Sequence, residues 1–152
     1  MSLETVRSFL FLYAPDIEVM TRDVSLASVN DAAEGLGVSP PQIAKTMALI
    51  QGDTPILLVL RGDARLDNRK YRDQFGVKAK MISPEDVEAI TSHPVGGVCP
   101  FGLPEKIPVY CDISLKDFDE VFPAAGSTGA ALRISPSRLA DLTEATWVDV
   151  AK

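Results

Sequence analysis

Residues 46–62 read "TMALIQGDTPILLVLRG", two apolar runs of strand length on either side of a Gly-Asp-Thr turn. Short runs rich in Ile, Leu and Val and bounded by turn residues are typical of buried strands. We therefore predict a β-hairpin in the core, with one strand over 46–51 and the other over 55–62. The other predicted elements lie before and after this hairpin in the sequence.

Helix signals alternate with further strand-length runs along the chain. Serines at four positions can cap helix N-termini, and proline follows three of them directly, at a helical position whose N–H has no partner anyway. The predicted helices are 3–14, one from Ser28 that stops at Gly35 or Gly37, 40–45 and 67–76, one beginning at Ser83 and one at Ser135. The other predicted strands are 17–21, 107–114, 120–125, 131–135 and 146–150. This alternation predicts an α+β fold, a single domain over residues 1–152 with a mixed, strongly curved β-sheet.

Composition excludes several classes of protein. The chain has 152 residues, 46% hydrophobic and 24% charged, which is the balance of a soluble globular domain with one core. No apolar stretch approaches the roughly 20 residues that span a bilayer, and the N-terminus does not read as a signal peptide. Two cysteines are too few for a disulfide framework. We therefore expect a cytoplasmic protein with reduced thiols and no membrane contact.

Charge is distributed unevenly along the chain. The net charge is −6, but residues 61–80 contain seven basic residues against three aspartates, so the remainder carries −10. A basic segment on an acidic body suits a local contact with one polyanion, and it equally suits a solvated helix face. Phosphate binding draws its affinity from Lys and Arg, so the negative net charge argues against a protein that coats nucleic acid along its length.

The stretch "VGGVCPFGLP", residues 95–104, combines flexible backbone with a thiol shortly after the only histidine, His93. Cys99 could be a nucleophile activated by His93, or a small apolar residue in the wall of a loop. A metal site is not expected, because zinc needs three or four ligands at characteristic spacing and the chain has one histidine and no C-x-x-C. We accordingly expect no metal and no cofactor, and the role of His93 stays open.

Two other features of the sequence could contribute to a binding site. Gly96 and Gly97 allow the backbone to approach a ligand, and consecutive amides can hold a carboxylate, phosphate or ester oxygen. The alternative is a plain glycine-rich turn. Lys45 follows directly on "QIA", where the sequence predicts the end of a short helix before an apolar strand. A lysine there could face a ligand, or could simply interact with the helix dipole.

Four segments of the chain resemble one family in order and spacing. They are "LGVSPPQIAKTMAL", "LRGDARLDNRK", "GGVCPFGLP" and "AGSTGAALRISPSRL". Together they are similar to the YbaK family, the prolyl-tRNA synthetase-associated editing domain. The resemblance runs from about residue 20 to residue 140. It implies a curved, barrel-like mixed sheet surrounded by helices, and an enzyme that hydrolyses the ester of a mischarged tRNA in trans.

The resemblance also implies which residues form the site. Lys45, in the family's "KT" pair, is the implied catalytic residue, and the ribose hydroxyl of the tRNA is the implied proton acceptor. The implied partners are the acceptor end of aminoacyl-tRNA and an aminoacyl-tRNA synthetase. Expected substrate-binding residues are Met20, Thr46, Gly96, Gly97, Val98, Cys99, Pro100, Phe101, Gly126 and Ser127. Expected tRNA contacts are Arg61, Arg65, Arg69 and Lys70.

The chain departs from the pattern of members that remove cysteine from tRNA for proline. Those members carry a tyrosine near Met20 and an acid near Ala131, and both positions are apolar here. A pocket lined by these two residues with Met47 and Val98 suits a small, weakly polar amino acid. Two alternatives stay open: a non-catalytic module that binds aminoacyl-tRNA or a synthetase, and a thiol-dependent hydrolase that uses Cys99.

Overall fold

The predicted hairpin is confirmed in a computed structural model, which describes residues 2–152. Strand β2 (Ile43–Gln51) pairs antiparallel with β3 (Thr54–Arg61) over eight residue pairs, from Ala44 opposite Arg61 to Gln51 opposite Thr54. Five consecutive residues of β3, 56–60, are at most 1% exposed. The hairpin therefore lies at the centre of the core, as its composition predicts.

Of the five remaining strands, three extend this hairpin into a mixed sheet and two pair separately. They are β1 (Met20–Thr21), β4 (Val109–Asp112), β5 (Phe122–Pro123), β6 (Ala130–Ala131) and β7 (Thr146–Val148). The main sheet has the order β5-β2-β3-β4-β7, in which every pairing except β2 with β3 is parallel, while β1 and β6 form a separate antiparallel pair. Among residues 2–152 no strand pairing joins β1 to β7, so closure of the sheet into a barrel stays a prediction.

Five α-helices are formed by residues 2–152, in agreement with the α+β prediction. They are α1 (Ser2–Tyr13), α2 (Val29–Leu36), α3 (Asn68–Phe75), α4 (Pro84–Thr91) and α5 (Pro136–Thr143). The side chain of Ser28 caps α2 and that of Asp67 caps α3, and both helices end at a glycine with positive φ. None of the five helices is long and apolar enough to cross a membrane.

The helix predicted over 40–45 is wrong beyond its first three residues. Pro40–Gln42 forms a single 3₁₀ turn, and Ile43 already has extended backbone angles. Lys45 consequently lies inside β2, opposite Leu60 of β3. The two prolines favour a helical first turn, but pairing with β3 determines the conformation from Ile43 onward.

Three of the predicted strands contain ladders of only two residues. Only Met20–Thr21, Phe122–Pro123 and Ala130–Ala131 form ladders within 17–21, 120–125 and 131–135, and the last ladder begins one residue before its run. Pro123 cannot donate to a ladder, which limits β5 to two residues. Isolated bridges continue both segments, from Val121 to Ile134 and from Ala124 to Ala131.

The core occupies both faces of the main sheet. One face packs Ala44, Ala48, Leu57 and Val59 against α1 and against Cys99 and Phe101 of the loop at 95–102. The opposite face packs Leu49, Ile56, Leu58 and Leu60 against Tyr71 of α3. The alternation along β2 and β3 that produces these two faces follows from the period of two in a strand. This arrangement places the loop beside the outer edge of β2.

Candidate active site

A pocket of about 290 Å³ opens between β2, α2, the start of α4 and the loop at 95–98. Its lining is almost entirely apolar, apart from Lys45 and Thr46. The exposed side chains of Met81 and Val95 border it. The remaining lining residues are Leu26, Ala27, Val29, Ala32, Ile43, Ala44, Met47, Ala48, Ile82, Pro84, Val87, Gly96, Val98, Phe122, Ala124, Ala130 and Ala131.

Lys45 is the cation of this pocket. Its side chain is half-buried, and its amine donates a hydrogen bond to the carbonyl oxygen of Ala64. Burial is the main cause that lowers the pKa of Lys45; nearby Arg65 lowers it further, and Asp63 raises it. The ammonium is therefore held in place and only partly hydrated, as expected of a group that interacts with an anion or a developing negative charge.

Thr46 carries an unsatisfied polar atom at the pocket. Among residues 2–152, its hydroxyl is the one buried side-chain oxygen or nitrogen with no hydrogen-bond partner. A buried hydroxyl without a partner costs about 1 to 3 kcal/mol, and most proteins avoid it. The hydroxyl of Thr46 is thus available to a ligand.

The backbone of Thr46 also faces the pocket side of β2. Ala48 accepts a hydrogen bond from Ile82 and Ile50 donates one to Lys80, so alternate residues of β2 direct their peptide groups away from β3. Thr46 has the same orientation. Continued to Thr46, this register would reach Pro84, where α4 begins and which has no N–H to donate. We infer that the strand edge at Thr46 is open to a ligand.

The glycine-rich loop packs backbone against backbone on the turn at 126–129. A Cβ on Gly97 would lie 2.8 to 2.9 Å from backbone atoms of Ser127, closer than such contacts allow. Gly126 donates a hydrogen bond of 3.0 Å to the carbonyl oxygen of Gly97, whose own N–H donates to Pro94. The N–H of Gly97 is therefore occupied, and the loop residues that line the pocket are Val95, Gly96 and Val98.

Cys99 lies behind the loop instead of in the pocket. It is fully buried, and burial raises the pKa of its thiol to about 12. The Sγ atom is 3.5 Å from Nε2 of His93, whose pKa is lowered by burial and raised by a hydrogen bond with Phe101. A catalytic cysteine requires an accessible thiolate. The geometry therefore favours the packing interpretation of Cys99 over the nucleophile.

The other predicted binding residues do not line the pocket. Met20 pairs with Ala131 and borders a shallow groove with Asp16 and Arg138. Phe101 packs in the core next to Phe9 of α1. Pro100, Gly126 and Ser127 belong, with Gly97, to the loop and turn that support the wall formed by Gly96 and Val98.

The four predicted tRNA contacts differ in their charge partners. Arg61 is paired with Asp63 and Asp117, and Lys70 with Asp149. Arg65 and Arg69 are exposed. Arg65 directly follows Ala64, the residue that holds the Lys45 amine. Of the four, Arg65 is thus connected most closely to the pocket.

Several pocket residues could not be found by sequence motifs. Leu26 precedes α2, Met81 lies in the segment paired with β2, and Val87 is on α4. All three are ordinary apolar residues far apart in the chain, and only the fold brings them together. Among residues 2–152 no group of three or more His, Cys, Asp or Glu side chains is arranged to hold a metal ion.

Comparison with known proteins identifies similar chains over nearly the whole length. The uncharacterised protein YwhH of Bacillus subtilis is 44% identical over 154 residues, covering 100% of this chain and 98% of YwhH. EbsC of Enterococcus faecalis, proposed as a Cys-tRNA(Pro)/Cys-tRNA(Cys) deacylase, is 27% identical over 81% of this chain and 76% of its own length.

A crystal structure of a protein proposed as a trans-editing enzyme for prolyl tRNA synthetase has the same fold. Its TM-score is 0.91 at 28% identity, with 99% of this chain and 97% of that chain covered. The model of the aminoacyl-tRNA editing domain matches residues 23–142, which include Lys45, Thr46 and the glycine-rich loop. Since this match extends over most of the chain, the protein belongs to the aminoacyl-tRNA editing domain family, the YbaK-like family that its four motifs predict.

Proposed function

We propose that this protein is a trans-acting aminoacyl-tRNA deacylase, an enzyme that hydrolyses the ester between a wrong amino acid and its tRNA. The observation that carries the proposal is one pocket lined by Lys45, Thr46 and the loop residues Gly96 and Val98, in which the Thr46 hydroxyl has no partner. Family membership and the activity proposed for EbsC support the same reaction class.

The chemistry fits a site without a protein nucleophile. An aminoacyl ester is already activated, so hydrolysis needs mainly a positioned water and stabilisation of the oxyanion that develops on the carbonyl. Water adds to the carbonyl carbon, the ester C–O bond breaks, and the free amino acid and the tRNA leave. We propose that the ribose hydroxyl next to the ester accepts a proton from the water and passes its own proton to the ribose oxygen that leaves.

Lys45 and Thr46 have separate roles in this proposal. The Lys45 ammonium, held by the Ala64 carbonyl, orients the terminal adenosine or its phosphate and adds positive charge near the ester. The Thr46 hydroxyl, which lacks a partner, binds the aminoacyl group together with the loop residues Gly96 and Val98 that line the same pocket. Each role uses a group that is unsatisfied or only partly hydrated.

The lining of the pocket favours an amino acid with a small, weakly polar side chain as substrate. From the family resemblance, we propose tRNA for proline or a related tRNA as the carrier. Apart from Lys45 and Thr46, the walls offer only apolar side chains or glycine, so a charged side chain would lose its hydration without compensation. Discrimination by size is limited, because one methylene is worth about 1 to 3 kcal/mol.

A panel of mischarged tRNAs tests the proposal. Wild-type protein should release the amino acid from at least one of them, and Lys45→Ala should lower kcat/KM by about 100-fold or more, as expected when one charge-stabilising group is removed. Arg133→Ala is the matched control, because Arg133 is paired with Glu120 and takes no part in the pocket.

Two outcomes would contradict the assignment. Full activity of Lys45→Ala with an unchanged thermal melting curve would remove Lys45 from the mechanism. Tight binding of mischarged tRNA with no deacylation across the panel would favour a non-catalytic module that recognises aminoacyl-tRNA or a synthetase.

A further inference from the structure

A buried histidine joins the two backbone segments that form the loop side of the pocket. His93 is fully buried, and its Nε2 atom lies 2.7 Å from the carbonyl oxygen of Phe101, at the far end of the glycine-rich loop. Its Nδ1 atom lies 2.9 Å from the hydroxyl of Ser2, which also donates to the carbonyl oxygen of Gly126. One imidazole thus connects the loop, α1 and the turn at 126–129.

The hydrogen-bond partners determine which nitrogen carries the proton. A carbonyl oxygen only accepts, so Nε2 must donate to Phe101. In a neutral imidazole Nδ1 then has no proton and can only accept, and the Ser2 hydroxyl is the donor next to it. The single hydroxyl proton is shared between Nδ1 and the oxygen of Gly126. For a neutral ring, this geometry therefore specifies the Nε2–H tautomer.

The first turn of α1 forms the support behind both segments. A Cβ on Gly126 would lie 2.7 Å from the carbonyl oxygen of Ser2, and one on Gly102 would lie 2.7 Å from the backbone of Thr5. Backbone therefore packs directly on backbone at both places. The helix lies outside residues 23–142, the part of the chain that matches the family model. The support is thus built from residues beyond the matched segment.

We propose that neutral His93 is a positioning residue, which acts through Ser2 and Phe101 to fix the glycine-rich loop against the turn at 126–129. The inference rests on the proposed function, since the loop is taken to hold the aminoacyl group. His93 touches no pocket atom that would meet substrate. It fixes the loop that accepts the hydrogen bond from Gly126 at Gly97 and that contributes Gly96 and Val98 to the pocket wall.

The surroundings of His93 agree with a neutral ring. Burial lowers its pKa and outweighs the opposite effect of the bond with Phe101. The titratable group in contact with the ring is Cys99, which is itself kept neutral because burial raises the pKa of the thiol. Charged side chains of the two adjoining helices are exposed on the surface: Glu4 and Arg7 of α1, and Glu85, Asp86 and Glu88 of α4.

The tautomer can be read directly, because His93 is the only histidine of the chain. Long-range proton–nitrogen NMR spectra of the whole protein contain one imidazole, and we expect a neutral ring protonated on Nε2 at pH 7. Ser2→Ala and His93→Gln should both shift the amide signals of Gly97 and Gly126. Ser8→Ala, an exposed position on the same helix, should leave them unchanged.

Kinetics separate positioning from simple loss of stability. Ser2→Ala removes only a hydroxyl, and His93→Gln keeps a donor that can reach Phe101, so both variants should fold. Each should lower kcat for deacylation about tenfold, because a small misplacement of reacting groups is costly, and change KM by less than about twofold. The double variant should be no worse than either single one, since both break the same link. Ser8→Ala should keep wild-type kcat.

Either of two results would overturn the proposal. The first is an imidazole protonated on Nδ1 only, or charged at pH 7. The second is wild-type kcat and unshifted Gly97 and Gly126 signals in both single variants. If wild-type protein deacylates none of the mischarged tRNAs, the proposed function fails, and the spectra alone still decide whether His93 positions the loop.

Discussion

At the scale of single residues, the site combines groups that a stable fold would normally satisfy. The Thr46 hydroxyl is buried without a partner, and the Lys45 ammonium is partly removed from water. Both belong to one strand whose neighbours are otherwise apolar or paired. Proteins retain such unfavourable free energies where a ligand compensates them. We therefore expect Thr46 and Lys45 to lower the stability of the protein without a ligand.

Thr46→Val tests whether the unpartnered hydroxyl lowers stability and contributes to activity. Valine has the same shape without the unsatisfied oxygen, so we expect the free energy of unfolding to rise by about 1 kcal/mol. Deacylation should fall about tenfold in kcat/KM, because the hydroxyl that we propose to bind the aminoacyl group is lost. Urea unfolding and deacylation assays measure the two effects.

Thr143→Val is the matched control for that change. The Thr143 hydroxyl donates to the carbonyl oxygen of Leu139 at 2.8 Å, so its removal should lower stability by about 1 kcal/mol and leave activity unaltered. A Thr46→Val variant that is less stable than wild type, or fully active, would contradict the role of the hydroxyl.

Cys99 differs from Lys45 and Thr46, because its thiol is buried and cannot reach a substrate. Both Cys99 and Cys111 are fully buried, and burial raises the pKa of each thiol to about 12. We expect Cys99→Ala to keep at least about half of wild-type kcat/KM, and iodoacetamide to modify neither thiol in the native protein at pH 7, because alkylation requires the thiolate. Mass spectrometry of the treated protein checks the second point. Inactivation by the reagent, with loss of the effect in Cys99→Ala, would restore the thiol-dependent hydrolase.

At the scale of elements, the sequence predicts correctly the strands and helix starts that are determined by neighbouring residues. The apolar runs on either side of the Gly-Asp-Thr turn give β2 and β3, and serine caps begin α2, α4 and α5. The sequence predicts Lys45 at the end of a helix, because Pro40 and Pro41 are typical of a helical first turn. The pairing of β2 with β3 is a long-range interaction, and it overrides that signal after three residues.

The cap of α2 gives a test at this scale. Ser28 accepts a hydrogen bond of 3.0 Å from the N–H of Asp31, and the helix carries Val29 and Ala32 of the pocket wall. Ser28→Ala should lower the free energy of unfolding by about 1 kcal/mol, whereas Ser28→Asp should keep it near wild type, because aspartate caps equally well. Thermal melting of both variants measures the difference. Equal losses in the two variants would show that the cap bond does not stabilise α2.

At the scale of the whole molecule, the sequence motifs contain residues of the candidate site but not the contacts that support them. Lys45 and Gly96 belong to motifs that can be read along the chain. The contact of Ser2 with His93 joins residues 91 positions apart, and Val87 reaches the pocket only through the packing of α4. Neither has a local signature, because a buried hydrogen bond and an apolar contact depend on where the fold brings the two partners.

The charge distribution of the whole molecule leads to the last prediction. The protein carries a net charge of −6, so tRNA should bind through its basic segment, residues 61–80, and mainly through cations without an acidic partner. Arg65 and Arg69 are exposed, whereas Arg61 is paired with two aspartates. Arg65→Ala and Arg69→Ala should each weaken tRNA binding and reduce the slope of log Kd against log salt by about 1, the change expected for one phosphate contact. Arg133→Ala, outside the segment, should leave that slope unchanged. If all three variants bind tRNA with the wild-type salt dependence, the acceptor stem contacts another surface.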